Sequence, residues 1–163
     1  MATTTYTCTS GTYNANTSWT SIGNIYDGNT STYATGTTYN NTDYLNYRVY
    51  NYTTVTGTGD ITKVEFGVKG KKEEYYYGIF AYLTTSGGWY EDNYISEIPL
   101  TTSVDTYWFD VTSGTGTVLP WNNSDINYAN LGIYTRRTNP FSDLSGNTQY
   151  CYIYETYWRI TTT

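Results

Sequence analysis

The residues that most often perform catalytic chemistry are scarce in this sequence. Its 163 residues include no His and only two Cys. The lack of His excludes Ser-His-Asp and Cys-His nucleophilic sites and most zinc sites. Pairs of acids can hydrolyse glycosidic bonds, and acidic neighbours occur at Glu73–Glu74 and Glu91–Asp92. Adjacent residues on a strand point to opposite faces, so these pairs form no catalytic dyad by themselves. We therefore expect a protein that is not an enzyme.

Aromatic side chains are much more abundant than these catalytic residue types. The chain contains 22 Tyr and 5 Trp. Their rings stack on the faces of sugars, and the same residues are favoured at protein–protein interfaces. Five aromatic residues expected in loops are candidates for a ligand-binding surface: Trp89, Tyr90, Tyr94, Trp121 and Tyr128. Glycan binding and subunit contact are both open for these residues.

Charge and hydropathy restrict the possible partners. Only 13% of the residues are charged, and the formal net charge is −6. Nucleic acid is therefore not an expected partner, because phosphate binding needs a basic surface. The longest apolar stretch, at residues 79–83, is far shorter than the about 20 residues that span a bilayer, so no membrane insertion is expected. The first residues show no signal-peptide pattern, so we expect either that a leader has been removed or replaced, or that the protein reaches the exterior another way, as virion proteins do when they assemble inside the host.

The elements that must position these side chains are predicted to be strands. Thr and Tyr suit a pleated, half-buried surface, and the clearest alternation has Val64, Phe66 and Val68 on one face. Similar segments lie at 44–52, 75–83, 107–111, 131–133 and 150–160. A single helical turn is predicted at 124–127. We predict an all-β domain over residues 1–163, with about eight strands in two antiparallel sheets packed as a sandwich.

The last predicted strand changes its buried face along its length. Cys151 and Ile153 share one parity, whereas Trp158 and Ile160 share the other. A β-bulge inserts one residue and so reverses the parity. The pattern therefore predicts a bulge near Glu155.

Two motifs resemble a known family. The segment Asn24–Ala34, with the sequence NIYDGNTSTYA, follows Trp19 and precedes a strand and then the sequence ITKV. It resembles the start of discoidin-like, galactose-binding-like domains, although Ala34 stands where the family usually has Trp. The segment Trp121–Ile126, with the sequence WNNSDI, looks like a segment of jelly-roll domains on virion and archaeal surface proteins. The resemblance implies a β jelly roll.

The resemblance also implies a structural Ca²⁺ at the Asp-Gly loop. Asp27 and Thr32 would be side-chain ligands with Asn29 near them, and Glu155 on the last strand would complete the site. Such a hard cation prefers oxygen ligands, which a tight glycine turn can bring together. The alternative is that Asp27 and Asn29 only form a turn with an Asx hydrogen bond.

The two cysteines lie near opposite ends of the chain, at Cys8 and Cys151. Jelly rolls often place their first and last strands side by side, so we expect a disulfide between them. The alternative is a pair of buried free thiols that act as small apolar residues.

These expectations favour a non-catalytic structural subunit of an exterior assembly. It would be a virion decoration or fibre protein, or an extracellular surface filament subunit, located on the virion surface or outside the cell. Its partners would be copies of itself or other subunits. The alternative is a carbohydrate-binding module that recognises surface glycans through the loop aromatics.

Overall fold

The fold is that of an all-β protein, as predicted. The computed structural model describes residues 1–13, 19–38, 49–52, 55, 59–73, 79–84, 93–113, 121–123, 126, 130–135 and 149–163. Within these ranges, no helix has both the length and the apolar character needed to cross a membrane.

Eleven strands are found in the described ranges, where about eight were predicted. Their bounds are β1 Ala2–Thr7, β2 Ser10–Tyr13, β3 Trp19–Thr20, β4 Ala34–Thr38, β5 Val49–Tyr52, β6 Ile61–Lys72, β7 Ile79–Thr84, β8 Asn93–Ile98, β9 Asp105–Asp110, β10 Asn130–Thr135 and β11 Gln149–Thr162. A 3₁₀ turn covers Ile22–Ile25. Near the predicted helical turn, Asn123 and Ile126 are helical and the Ile126 N–H donates to the Asn122 carbonyl. The remainder of that turn lies outside the described residues.

The first sheet has six strands and is built around β11. Its order is β3-β4-β11-β6-β9, and β1 also pairs with β11. Strand β6 pairs with β11 from Cys151 to Thr162 along one edge. The other edge is shared, because β4 pairs with residues 149–153 and β1 with residues 157–162. The 3₁₀ turn packs beside β4 and β11.

The second sheet has five antiparallel strands in the order β2-β5-β10-β7-β8. The predicted strand at 131–133 is the centre of β10, which pairs with β5 and β7. The predicted strand at 75–83 is observed from Ile79 onward as β7, and residues 74–78 lie outside the described ranges.

The core draws side chains from both sheets. On β6, the predicted face of Val64, Phe66 and Val68 is fully buried. Ile98 at the end of β8 and Ile133 on β10 belong to the same buried cluster. The alternation read from the sequence therefore identifies the buried face of β6.

The predicted bulge in the last strand is present. The register between β11 and β6 shifts between Ile153 and Glu155, so that Tyr154 is the inserted residue. Cys151 and Ile153 before the shift, and Trp158 and Ile160 after it, are all buried. The bulge thus keeps the apolar residues of both halves on the core face.

The predicted disulfide is not formed, and the strand register explains why. Cys8 and Cys151 are both buried, and no disulfide joins them. The first and last strands are neighbours, as expected, but the Cys8 N–H donates to the carbonyl of Thr156 at 3.0 Å. Cys151 lies five residues before Thr156 on β11, which is about 16 Å at the rise of a strand. A disulfide tolerates a Cα separation of at most about 7 Å. The alternative of two buried thiols is correct for this structure.

Candidate functional site

The Asp27 loop, which we define as residues 26–33 between the 3₁₀ turn and β4, is a network of short hydrogen bonds. The Asn29 N–H donates to Asp27 Oδ1 at 2.7 Å, which is the Asx turn of the alternative reading. The Thr32 hydroxyl donates to Asp27 Oδ2 at 2.8 Å and to the Asn29 carbonyl at 2.9 Å. Gly28 has a φ of 74°, a conformation that L side chains rarely adopt. The Asp-Gly pair therefore folds the loop and holds the Asp27 carboxylate in place.

Glu155 lies close to the Asp27 loop and is fully buried. Its register partner on β6 is Lys69, immediately after the bulge. The side chain has 0% exposure, and neither carboxylate oxygen has a hydrogen-bond partner among the described residues. A buried carboxylate without partners is costly, because the charge loses its hydration and receives nothing in return. An Asx turn alone gives no reason for such a residue at this position.

The environment of Glu155 raises the pKa of its carboxyl from 4.5 to about 7. Burial is the main cause, and the negative charge of Asp27 adds to it. The backbone of Gly28 and the ammonium of Lys69 act in the opposite direction. The Gly28 N–H is near enough to lower the pKa of Glu155, yet no described residue makes a hydrogen bond of normal geometry to either carboxylate oxygen. Two acidic groups thus share one partly closed environment that favours a proton or a cation.

The donor set fits a hard cation better than a transition metal. The described ranges contain no group of three or more His, Cys, Asp or Glu side chains able to hold a metal. The oxygens of Asp27 and Thr32 are joined directly by a hydrogen bond, and Glu155 contributes unsatisfied oxygens close by. The Asn29 side chain accepts the Ser31 N–H at 3.1 Å, so it already serves the loop itself. The four predicted ligands therefore lie in one region, with Asp27 and Glu155 supplying its charge.

The structure gives Trp121 a role in the core and not the predicted role in ligand contact. Its side chain is 4% exposed, and its indole N–H donates to the Thr112 carbonyl at 3.1 Å. Its ring packs edge-on against Trp158 with centroids 6.3 Å apart. Tyr94 belongs to β8, where it pairs with Tyr82 in register.

The other loop aromatics, Trp89, Tyr90 and Tyr128, lie outside the described residues. Their predicted role, like that of Tyr94, stays a prediction.

A cleft at the opposite end of β11 from β1 was not anticipated from the sequence. Its volume is about 300 Å³, and we call it the Tyr33 cleft. Its lining consists of Tyr33, Lys71, Lys72, Glu73, Thr102 and Tyr152. Glu73, which the sequence analysis considered only as a member of an acidic pair, is half-buried and accepts hydrogen bonds from β11. The contacts join residues far apart in the sequence, so no local pattern indicates them.

A third cluster of side chains lies on the face of the first sheet that carries Glu65. Its charged groups bond to one another. Arg159 donates to both oxygens of Glu65 at 2.7 Å, and its guanidinium carbon lies 3.9 Å from the centroid of the Trp108 ring. Lys63 also donates to Glu65 at 2.9 Å. Hydrogen bonds from Arg159 are the main cause that lowers the pKa of Glu65 to about 2. We assign this group to the stability of the sheet.

Comparisons with known proteins add no relative. No protein-family model matches the chain, and no curated protein matches it significantly. The family resemblance therefore rests on the sequence motifs alone.

Proposed function

We propose that the protein is a non-catalytic structural subunit of an exterior assembly, such as a virion decoration or fibre protein or an extracellular surface filament. The observation that carries this proposal is strand β1, Ala2–Thr7. It pairs with β11 along one edge, and no strand in the described part of the chain pairs with its other edge. Residues 2–5 are exposed. An open edge of this kind is a template for a strand of another molecule.

The direction of the backbone groups on β1 follows from one hydrogen bond. The Cys8 N–H donates to β11, in register with the β1 pairing. Backbone groups alternate along an antiparallel ladder, so Thr4 and Tyr6 also point toward β11. Thr3 and Thr5 therefore direct their N–H and C=O groups away from the sheet, toward the open edge.

The composition of β1 favours a second copy of this chain as the occupant of that edge. Natural edges are usually protected by Lys, Pro, a bulge or an inward-pointing charge. The segment Ala2–Thr7 has none of these, and four of its six residues are Thr. The whole chain carries a net charge of −6, but two β1 strands bring no like charges together. Pairing between β1 strands would extend the first sheet across two subunits.

We further propose that the chain is a single jelly-roll domain of the galactose-binding-like type, with its two sheets packed face to face. The motif at Asn24–Ala34 supports the family, and the shared burial of Phe66, Ile98 and Ile133 supports the sandwich. In this arrangement Ca²⁺ would be a structural cofactor bound by Asp27, Thr32 and Glu155. It would neutralise the buried acids and fix the loop, without a role in any reaction.

Of the five loop aromatics that suggested a carbohydrate-binding module, the structure speaks against Trp121 alone. Trp121 is buried in the core. The structure does not describe the side chains of the other four. Glycan recognition through these four residues therefore stays a prediction.

Electron microscopy and multi-angle light scattering of the full chain test the assembly. We expect particles or filaments larger than a monomer. The variant Thr5→Pro removes an outward N–H while leaving the amides of Thr4 and Tyr6 bonded to β11, and Pro is tolerated at such edge positions. Each lost hydrogen bond costs about 1 kcal/mol of the free energy of strand pairing. A symmetric pair of β1 strands would lose two such bonds, one from each copy. A wild-type protein that stays monomeric at high concentration would overturn the proposal.

A further inference from the structure

The acceptor motif for N-linked glycans, Asn-x-Ser or Asn-x-Thr, occurs at several places in the chain. The acceptor residues are Asn16, Asn29, Asn40, Asn51 and Asn122. Ser and Thr are so abundant in this sequence that the motif alone does not separate used positions from chance matches. Asn16 and Asn40 lie outside the described residues, so the structure distinguishes among the other three.

The surroundings of these three acceptors differ. Asn51 lies inside the second sheet, because β5 pairs with β2 on one side and with β10 on the other. Asn122 lies at the helical turn, where its carbonyl accepts the Ile126 N–H at 3.2 Å and the residue has a further contact. Asn29 lies in the Asp27 loop, where residues 27–31 are all exposed. An enzyme that must bind its acceptor as an accessible peptide therefore meets the fewest obstacles at Asn29.

The side chain of Asn29 leaves its acceptor nitrogen free. Its Oδ1 accepts the Ser31 N–H at 3.1 Å, which fixes the orientation of the amide because an N–H requires an oxygen at that place. The Asn29 Nδ2 donates no hydrogen bond to any described residue. The Ser31 hydroxyl, which is the second element of the motif, likewise has no partner in the part of the chain that the structure describes. The loop thus presents both groups that the motif requires.

The contacts that shape the Asp27 loop use neither of these groups. The Asn29 N–H and the Thr32 hydroxyl donate to the Asp27 carboxylate, and Gly28 turns the backbone. A glycan on Nδ2 would break none of these bonds, and Oδ1 could still accept the N–H of the loop. The proposed Ca²⁺ ligands, Asp27, Thr32 and Glu155, do not include the Asn29 amide. The loop can therefore carry a glycan without losing its conformation.

We propose that Asn29 carries an N-linked glycan. The donor is a lipid-diphosphate-linked oligosaccharide, and an oligosaccharyltransferase performs the transfer. Asn29 Nδ2 forms a bond to C1 of the first sugar and gives up one proton, while the bond from C1 to the diphosphate oxygen breaks and the lipid diphosphate leaves. This inference rests on the exterior location in the proposed function, but it does not depend on pairing through β1. The bulky, hydrated glycan would keep the Asp27 loop out of subunit contacts.

Mass spectrometry tests the proposal on two samples of the full chain. In protein purified from its native source, we expect the peptide that contains Asn29 to carry a glycan. In a second sample, the folded chain is incubated with a purified oligosaccharyltransferase and its lipid-linked oligosaccharide, and we expect a glycan on the same peptide. Asn29→Gln and Ser31→Ala should abolish this mass gain, whereas Thr30→Ala should keep it because the middle position of the motif accepts any residue except Pro.

The denatured chain is the positive control, because all of its acceptor motifs are accessible to the enzyme. Modification of Asn29 in the denatured chain but not in the folded chain would overturn the proposal, as would a folded chain modified at Asn51 or Asn122 and not at Asn29. Native protein without a glycan on Asn29 would also overturn it. Light scattering of the same samples separates the two proposals, since a glycosylated monomer would contradict the assembly and leave the Asn29 site intact.

Discussion

Replacing Glu155 with Gln tests whether the buried carboxylate is the weak point of the apo protein and the anchor of a cation. Glu155 is fully buried, and its oxygens have no partner in the described structure. Gln has nearly the same shape and carries no charge. The substitution therefore removes the charge of this site and leaves its volume unchanged.

The magnitude follows from the displaced pKa of Glu155. The folded value of about 7 exceeds the ordinary value of 4.5. Each unit corresponds to about 1.4 kcal/mol, so the ionised carboxylate costs on the order of 3 kcal/mol. Because the folded pKa is the higher one, the protonated Glu155 carboxyl makes its full contribution to stability below pH 4.5. That contribution is lost as the pH rises through 7. Above about pH 7 the wild type is destabilised by the full cost of the ionised carboxylate.

Denaturant unfolding, followed by Trp fluorescence, measures the effect. With chelator at about pH 8, Glu155→Gln should be more stable than the wild type by up to about 3 kcal/mol, whereas the two should agree near pH 4. Ca²⁺ at about 100 times its Kd should stabilise the wild type by about 2.7 kcal/mol and the variant much less. The exposed residue Asp60 provides a control, because Asp60→Asn should change stability by less than about 0.5 kcal/mol.

Two results would refute the reasoning. A Glu155→Gln variant that is less stable than the wild type in chelator at pH 8 would show that the carboxylate is satisfied. A wild-type stability that responds neither to pH between 5 and 8 nor to Ca²⁺ would show that the Asp27 loop is only a turn.

Three further predictions concern the packing of the first sheet. Arg159→Met should destabilise the protein by on the order of 2–3 kcal/mol at pH 7, because Glu65 loses the partner that holds its pKa at about 2. Since that pKa is depressed, the difference should shrink as the pH falls from about 5 toward 2, and an equal loss at all pH values would contradict the assignment. Gly67→Ala should cost about 1–3 kcal/mol, because an added Cβ would lie 2.6 Å from the Trp108 ring, whereas Gly23→Ala meets no atom within 4 Å and should be nearly neutral. A thiol reductant should leave the melting temperature unchanged, and a fall of several degrees would indicate a disulfide.

The fold could be predicted where one face of a strand is buried. Alternation identified the core face of β6, and the change of parity between Ile153 and Trp158 identified the bulge. Strand β1 escaped prediction because residues 2–5 are exposed on both faces, so burial imposes no period on the sequence. The short strands β2 and β3 have too few residues to show one.

The candidate sites were predictable only where one loop contains them. The Asp27 loop was visible as a motif, and its turn is formed by residues a few positions apart. The Tyr33 cleft depends on the pairing of β6 with β11, which brings Glu73 beside Tyr152. The prediction of a disulfide was wrong for the same reason. The first and last strands were expected to be neighbours, but their register could not be predicted from the sequence. Register is decided by packing across the whole sheet and not by local composition.

The central claim, assembly through the open edge of β1, is tested most directly by the solution mass of two charge-matched variants. Thr3→Lys places a charge on the edge strand, and Val104→Lys adds the same charge at an exposed position outside the strands. We predict that the wild type and Val104→Lys form the same assembly by light scattering, whereas Thr3→Lys is a folded monomer. Assembly of Thr3→Lys to the same mass as the wild type would contradict the claim.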